Sequence, residues 1–323
     1  MSHLSQLPTL QRNVVLAPFT TMKVGGAALY FVAVSSSVEL RDAARAAIAD
    51  GIDYVMIGGG SNTVVSDKGF DGLVIKASGG NHEVDATTLT ADSTCILAAV
   101  SRVAFQYGLS GLEYGVGIPG TVGGAIVGNA GNFLGDTARI LETVDFLDDE
   151  GEEQQFSRAE CEFDYRSSVF KKHLSWVILR AHFQLARDSG IHIEERMDEI
   201  ITYKKNTQYG SFPTLGCMFK NIQIRSPQDR ATAELHGIAD LIRYSTDIGG
   251  DVIPVSVLLE RLGLKGYELG GARISEKNAN FVFNTGGATS EHIMTLVGVI
   301  QQKVRQEFGF ELHEEFRYIG TKH

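Results

Sequence analysis

Cysteine, proline and tryptophan are scarce in this chain, and so are long apolar runs. Among 323 residues there are three cysteines, Cys95, Cys161 and Cys217, too few and too scattered for a disulfide framework or a zinc cluster. A reduced, cytoplasmic compartment is the expectation. No apolar stretch approaches the ~20 residues that span a bilayer, so no membrane insertion is expected. The opening MSHLSQLPTLQRNVVL lacks the basic-then-apolar pattern of a secretory signal. Positive charge is in deficit: 29 Lys and Arg against 39 Asp and Glu leave a formal net charge of −10. Without a basic cluster, nucleic acid is not an expected partner. Six prolines beside 36 glycines exclude collagen and proline-rich linker chemistry.

What is present is a composition able to bury a core, 43% apolar and 21% charged, in a length suited to two domains or three small ones. The glycine excess reads as backbone brought close to other backbone or to a ligand. Periodicity predicts strands over 29–34, 54–57, 72–76, 87–90, 143–147 and 176–185. It predicts helices over 37–50, 93–107, 193–203, 255–262 and 290–308. The pattern is α/β or α+β, with no repeat.

The glycines concentrate in two places. Residues 108–131, GLSGLEYGVGIPGTVGGAIVGNAG, hold nine glycines in 24 positions. Gly115–Gly120 formally matches GxGxxG, but a helical pattern precedes it where a dinucleotide fingerprint requires a strand. A better reading has Thr121 capping a short helix over 122–127, with the preceding glycines letting backbone N–H groups approach an anion. Close packing of a glycine-rich helix is the alternative. The second place, Gly58-Gly59-Gly60-Ser61-Asn62, follows a strand, where ligands of α/β folds bind. Two such loops suit a molecule with two phosphates.

These segments fall in a familiar order. They run Thr20–Ala27, Gly58–Asn62, Gly115–Gly124 with Asn129-Ala130-Gly131, Tyr165–Phe170, Gly216–Asn221, Gly270–Phe281 and Glu315–Gly320. Together they resemble the UDP-N-acetylenolpyruvoylglucosamine reductase family, flavoenzymes of peptidoglycan precursor synthesis. The short spacing from Arg166 to Cys217 looks like the subtype lacking an inserted tyrosine loop. The resemblance implies an α+β fold: a two-lobed FAD-binding domain of the vanillyl-alcohol-oxidase-like type plus a C-terminal α+β substrate domain. The lobes would span 1–77, joined by a C-terminal strand within 311–323, and 78–205; the substrate domain would span 206–310. It also implies FAD, NADPH as hydride donor and UDP-N-acetylglucosamine enolpyruvate as substrate; the FAD is expected to be non-covalent because neither glycine-rich loop holds a His or Cys, and a monomer is expected. By the same resemblance, Gly58, Gly59, Gly60, Ser61, Asn62, Gly117, Pro119, Gly120, Thr121, Gly123, Gly124, Asn129 and Gly131 would hold FAD. Tyr165, Lys205, Lys220 and Asn221 would contact substrate, and Arg166, Cys217 and Glu315 would be catalytic.

The chemistry suits those residue types. Hydride addition to an enolpyruvyl ether leaves negative charge on the carboxylate as an enolate, which must be stabilised and then protonated. The Arg166 guanidinium can hold a carboxylate through two parallel hydrogen bonds. Glu315 would act as a hydrogen-bonding acid, because a carboxyl beside an anion must be protonated or paired. Cys217 stands where the family usually has the serine that donates the proton, and a thiol with pKa ~8.5 is a stronger acid than an alcohol. Asn278 stands for a usual His, and Ile222 for a usual Pro. Two other readings stay open: a different flavin oxidoreductase of this fold acting on an alcohol or sugar acid, and a non-catalytic nucleotide-binding module.

Overall fold

The computed structural model describes residues 2–207, 212–246 and 248–320. The chain divides into two compact units: residues 1–15, 27–60 and 70–206, and residues 16–26, 61–69 and 207–323. The last three residues of the expected C-terminal strand segment, 321–323, lie outside the described residues.

The first unit is built on two larger sheets, beside two short two-stranded ladders. In the four-stranded one, Ala27–Val34, Phe70–Ala77 and Tyr54–Ile57 run parallel, with Gln11–Val15 antiparallel at one edge. The helix Ser37–Asp50 packs Leu40, Ala43, Ala44 and Ala47 into its core. The 3–4 residue spacing of these side chains puts them on one face. Ser36 caps its start by accepting the Glu39 N–H at 3.2 Å, and Gly51 ends it in the left-handed region at φ 63°.

The five-stranded sheet is antiparallel throughout, in the order Glu153–Ser157, Leu141–Leu147, Val177–Gln184, Thr88–Asp92, His82–Asp85. Its core includes the helices Leu97–Gln106 and Val122–Val127 and the ring cluster Phe146, Phe156, Phe170 and Trp176. The helix expected over 93–107 begins only at Leu97. Its first residues turn instead, and their carbonyls accept hydrogen bonds from the glycine-rich tract: Gly123 N–H to Ser93 O at 2.8 Å and Val122 N–H to Cys95 O at 2.9 Å.

In the second unit, Thr214–Cys217, Phe281–Asn284, Ala272–Ile274 and Glu268–Leu269 form an antiparallel sheet. The long helix Ser290–Phe308 buries Ile293, Leu296, Val297, Ile300, Val304 and Phe308 against its core. A capping box of Thr289 and His292 starts this helix. Arg317–Ile319 pairs in parallel with Thr63–Val65. Among the described residues, no helix is long and apolar enough to cross a membrane.

Candidate active site

The two glycine-rich segments meet within the first unit. A Cβ on Gly58 would lie 2.5 Å from Thr121 Oγ1, and one on Gly59 only 2.8 Å from the Gly120 Cα. Real Cβ atoms do not approach so closely, so this crossing of two backbones requires glycine. Thr121 caps the helix Val122–Val127 as its sequence suggests, its hydroxyl accepting the Gly124 N–H at 3.3 Å. The other glycines divide by role. Gly123 packs on Ser93, and Gly131 on Gly135 and Asp136, where an added Cβ would stand 3.0 and 2.5 Å from the nearest atoms. Gly124 has ordinary space around it. Close packing therefore accounts for part of the glycine content, beside any ligand.

Gly58–Asn62 and Gly115–Gly131 contain no charged residue. The Val122, Gly123 and Gly124 N–H groups are already taken by Cys95 O, Ser93 O and Thr121 Oγ1, so within the first unit an anion would meet the backbone ahead of the helix and the Thr121 hydroxyl rather than the helix's first turn. Beside the tract, Ser93 Oγ and Thr94 Oγ1 are buried without a hydrogen-bond partner among the described residues. Such a surface fits the phosphates and ribityl hydroxyls of FAD, which ask for donors from close-approaching backbone.

Arg166 and Asn129 face each other, both in the left-handed region, at φ 51° and 40°. The Arg166 guanidinium donates to Gly131 O at 2.9 Å and Asn129 O at 3.4 Å, and lies 5.3 Å from the Tyr165 ring centroid. Asn129 Nδ2 donates back to Asp164 O at 3.2 Å, and Ser168 Oγ donates to Val127 O at 2.9 Å. The loop carrying Tyr165 and Arg166 is thus laced to the end of the glycine-rich tract. Non-glycine residues at positive φ, held by surrounding contacts, concentrate at functional sites.

The second unit assembles Asn62, Cys217 and Glu315. Cys217 is half-buried at the end of Thr214–Cys217, after Gly216 at φ 82°, where the pairing with Phe281–Asn284 shifts register. The next residue, Met218, accepts the Glu315 N–H at 2.9 Å, and Phe219 bridges to Glu314. Asn62 Nδ2 donates to Glu315 O at 3.2 Å, and Asn62 O accepts the Arg317 N–H at 2.9 Å. Asn221 has a structural task, since its Oδ1 accepts the Val255 N–H at 3.1 Å at the start of Val255–Arg261. Lys220 sits on the neighbouring backbone pair, its N–H donating to His313 O at 2.9 Å.

Asn280, Arg317 and Lys204 were given no role by the sequence reading. Asn280, 3% exposed, clamps the Cys217 loop. Its backbone O accepts the Met218 N–H, its Oδ1 accepts the Phe219 N–H at 3.0 Å, and its Nδ2 donates to Phe219 O at 2.8 Å. Asn278, in place of the family's usual His, closes the turn that presents Asn280, its Oδ1 accepting the Asn280 N–H at 3.0 Å. Arg317 is largely removed from water, and that burial lowers its pKa, so an anion nearby would stabilise its charge. Lys204, not the exposed Lys205, reaches the glycine-rich tract, its Nζ donating to Gly117 O.

Residues 205–319 match the UDP-N-acetylenolpyruvoylglucosamine reductase C-terminal domain, and residues 28–157 match an FAD binding domain. The UDP-N-acetylenolpyruvoylglucosamine reductase of Caldicellulosiruptor bescii is 35% identical over 308 residues, covering 94% of this chain and 89% of that protein. Its counterpart in Caldanaerobacter subterraneus is 33% identical, covering 97% and 94%. The chain belongs to the UDP-N-acetylenolpyruvoylglucosamine reductase family. It is an FAD-dependent oxidoreductase of α+β fold, acting in peptidoglycan synthesis. The crystal structure of the Thermus caldophilus reductase matches with a TM-score of 0.75 at 27% identity, covering 96% of this chain and all of that one.

Proposed function

We propose that Arg166, Cys217 and Glu315 carry the reduction of UDP-N-acetylglucosamine enolpyruvate to UDP-N-acetylmuramate, with NADPH as donor and FAD held non-covalently by the glycine-rich loops. Held by those loops, FAD would supply the hydride, drawn from NADPH, that adds to the terminal enolpyruvyl carbon. The electron pair of the carbon–carbon double bond then lies on the neighbouring carbon, delocalised into the carboxylate. Arg166 answers that charge with a guanidinium whose direction is fixed by Asn129 O and Gly131 O. The Cys217 thiol gives its proton to the neighbouring carbon and regains one from solvent. Glu315, protonated, hydrogen-bonds the enolate oxygen.

The observation that carries this reading is the hydrogen bond from the Glu315 N–H to Met218 O, which seats the acid beside the thiol-bearing turn. The test is anaerobic. NADPH should bleach the flavin, and UDP-N-acetylglucosamine enolpyruvate should restore its colour. Arg166→Lys keeps the charge but loses the planar fork. It should slow recolouring by about tenfold or more while leaving bleaching nearly unchanged. Equal slowing of both halves would remove Arg166 from enolate stabilisation.

A further inference from the structure

The helix Gly190–Thr207 lays a row of side chains spaced by four, Arg196, Ile200 and Lys204, against the turn Glu113–Gly117 that leads into the glycine-rich tract. Residues four apart share one helix face. At the start of the turn, Arg196 donates to Glu113 Oε1 at 2.8 Å, to Asp188 at 2.6 Å and to Ser110 Oγ at 3.1 Å. At its end, the Lys204 ammonium donates to Gly117 O. Between these anchors Ile200 is fully buried. A Cβ on Gly117 would lie 2.7 Å from Ile200 Cγ2 and 2.9 Å from Lys204 Cδ. The helix is therefore in direct contact with the tract at both ends of the turn, and Gly117 is glycine because of that contact.

The Lys204 bond has a particular consequence. The last carbonyls of a helical turn are its negative end, and an ammonium there is favourable. Gly115–Gly131 contains no charge of its own, so a charged group bonded to its backbone has to come from outside the segment. We infer that Lys204 is a positioning residue for the cofactor. By fixing the Gly117 carbonyl on the helix, it presets the backbone of Gly117–Thr121 for the FAD pyrophosphate and thereby sets FAD affinity. This inference rests on reading the glycine-rich loops as the FAD site. Preorganisation of this kind acts by lowering the ordering cost of binding.

The experiment uses the full chain, stripped of flavin and titrated with FAD and separately with riboflavin, which lacks the pyrophosphate and adenosine. The signal is flavin fluorescence, read well below each variant's melting temperature. Lys204→Met keeps the stem and removes the ammonium. It should weaken FAD binding by about tenfold, the scale of one charge-assisted hydrogen bond, and leave riboflavin binding nearly unchanged. Lys204→Arg should recover most of the FAD affinity. Wild-type affinity for FAD in Lys204→Met would overturn the inference. So would equal losses for both flavins together with a lowered melting temperature, which would make Lys204 a structural residue only. If Lys204→Met does not fold, Lys204→Gln makes the same comparison. If the wild-type stripped chain takes up no FAD, the loops themselves are misread, a result distinct from failure of the Lys204 variant.

Discussion

Cys217 is the residue at which chemistry and packing can be separated most sharply. Its half-buried thiol follows a glycine with φ 82° and lies on a turn pinned by Asn280 from one side and Glu315 from the other. Replacing the side chain leaves those backbone bonds in place. Cys217→Ser should keep substantial turnover, since a hydroxyl can donate the same proton. Cys217→Ala should lose roughly 10²–10⁴-fold in the recolouring half-reaction, the usual scale for a positioned acid, while NADPH still bleaches the flavin. Near-normal turnover of the Ala variant would leave Cys217 as a packing residue. The sequence pointed to this residue through the Gly-Cys-Met-Phe-Lys-Asn run, but Asn280 was invisible there. Its hydrogen bonds join positions 61 apart, and no local pattern reports a pairing of that range.

At the scale of elements, the ion cluster that anchors the helix Gly190–Thr207 carries its own pH signature. Asp188 is drawn down to about 2, chiefly by its hydrogen bond from Arg196. For Glu113, burial pushes the pKa up, but hydrogen bonds from backbone N–H groups, Ser110 and Arg196 more than offset it and hold the carboxyl below its ordinary value. Folded pKa values below the unfolded ones mean that the unfolded chain binds more protons in acid. The stabilisation is complete above the unfolded carboxylate values near ~4 and is lost as pH falls toward the folded ones. Arg196→Gln should therefore lower the melting temperature at neutral pH and flatten its decline between about pH 4 and pH 2. An unchanged slope would deny the cluster this role. The same helix illustrates how far sequence reading extends. Ser37–Asp50 and Ser290–Phe308 could be bounded to the residue, because caps and periodicity are local. The expected helix over 193–203 was too short at both ends. Its phase relative to Ile200, which brings Lys204 rather than Lys205 to Gly117, is set by packing on a turn some eighty positions away. The late start at Leu97 has the same origin, since Ser93 and Cys95 give their carbonyls to the glycine-rich tract.

For the molecule as a whole, attachment of the flavin follows from where the nucleophiles are. Neither Gly58–Asn62 nor Gly115–Gly131 contains His or Cys. Burial pushes the Cys95 thiol up to about 11 and the Cys161 thiol up to about 12, which leaves both without thiolate at neutral pH. Acid precipitation should therefore release all the yellow colour into the supernatant; flavin retained in the pellet would contradict non-covalent binding. The strand Arg317–Ile319, parallel to Thr63–Val65, bears on how the chain is made. Asn62 and Glu315, bonded beside that pairing, are 253 positions apart. A ribosome adding about 5–20 residues per second needs on the order of tens of seconds to cover that interval. Throughout it, Thr63–Val65 has emerged while the strand it pairs with does not yet exist. This parallel pairing can form only once Arg317–Ile319 has been made, and until then the nascent chain exposes a strand edge open to chaperones or to misassociation.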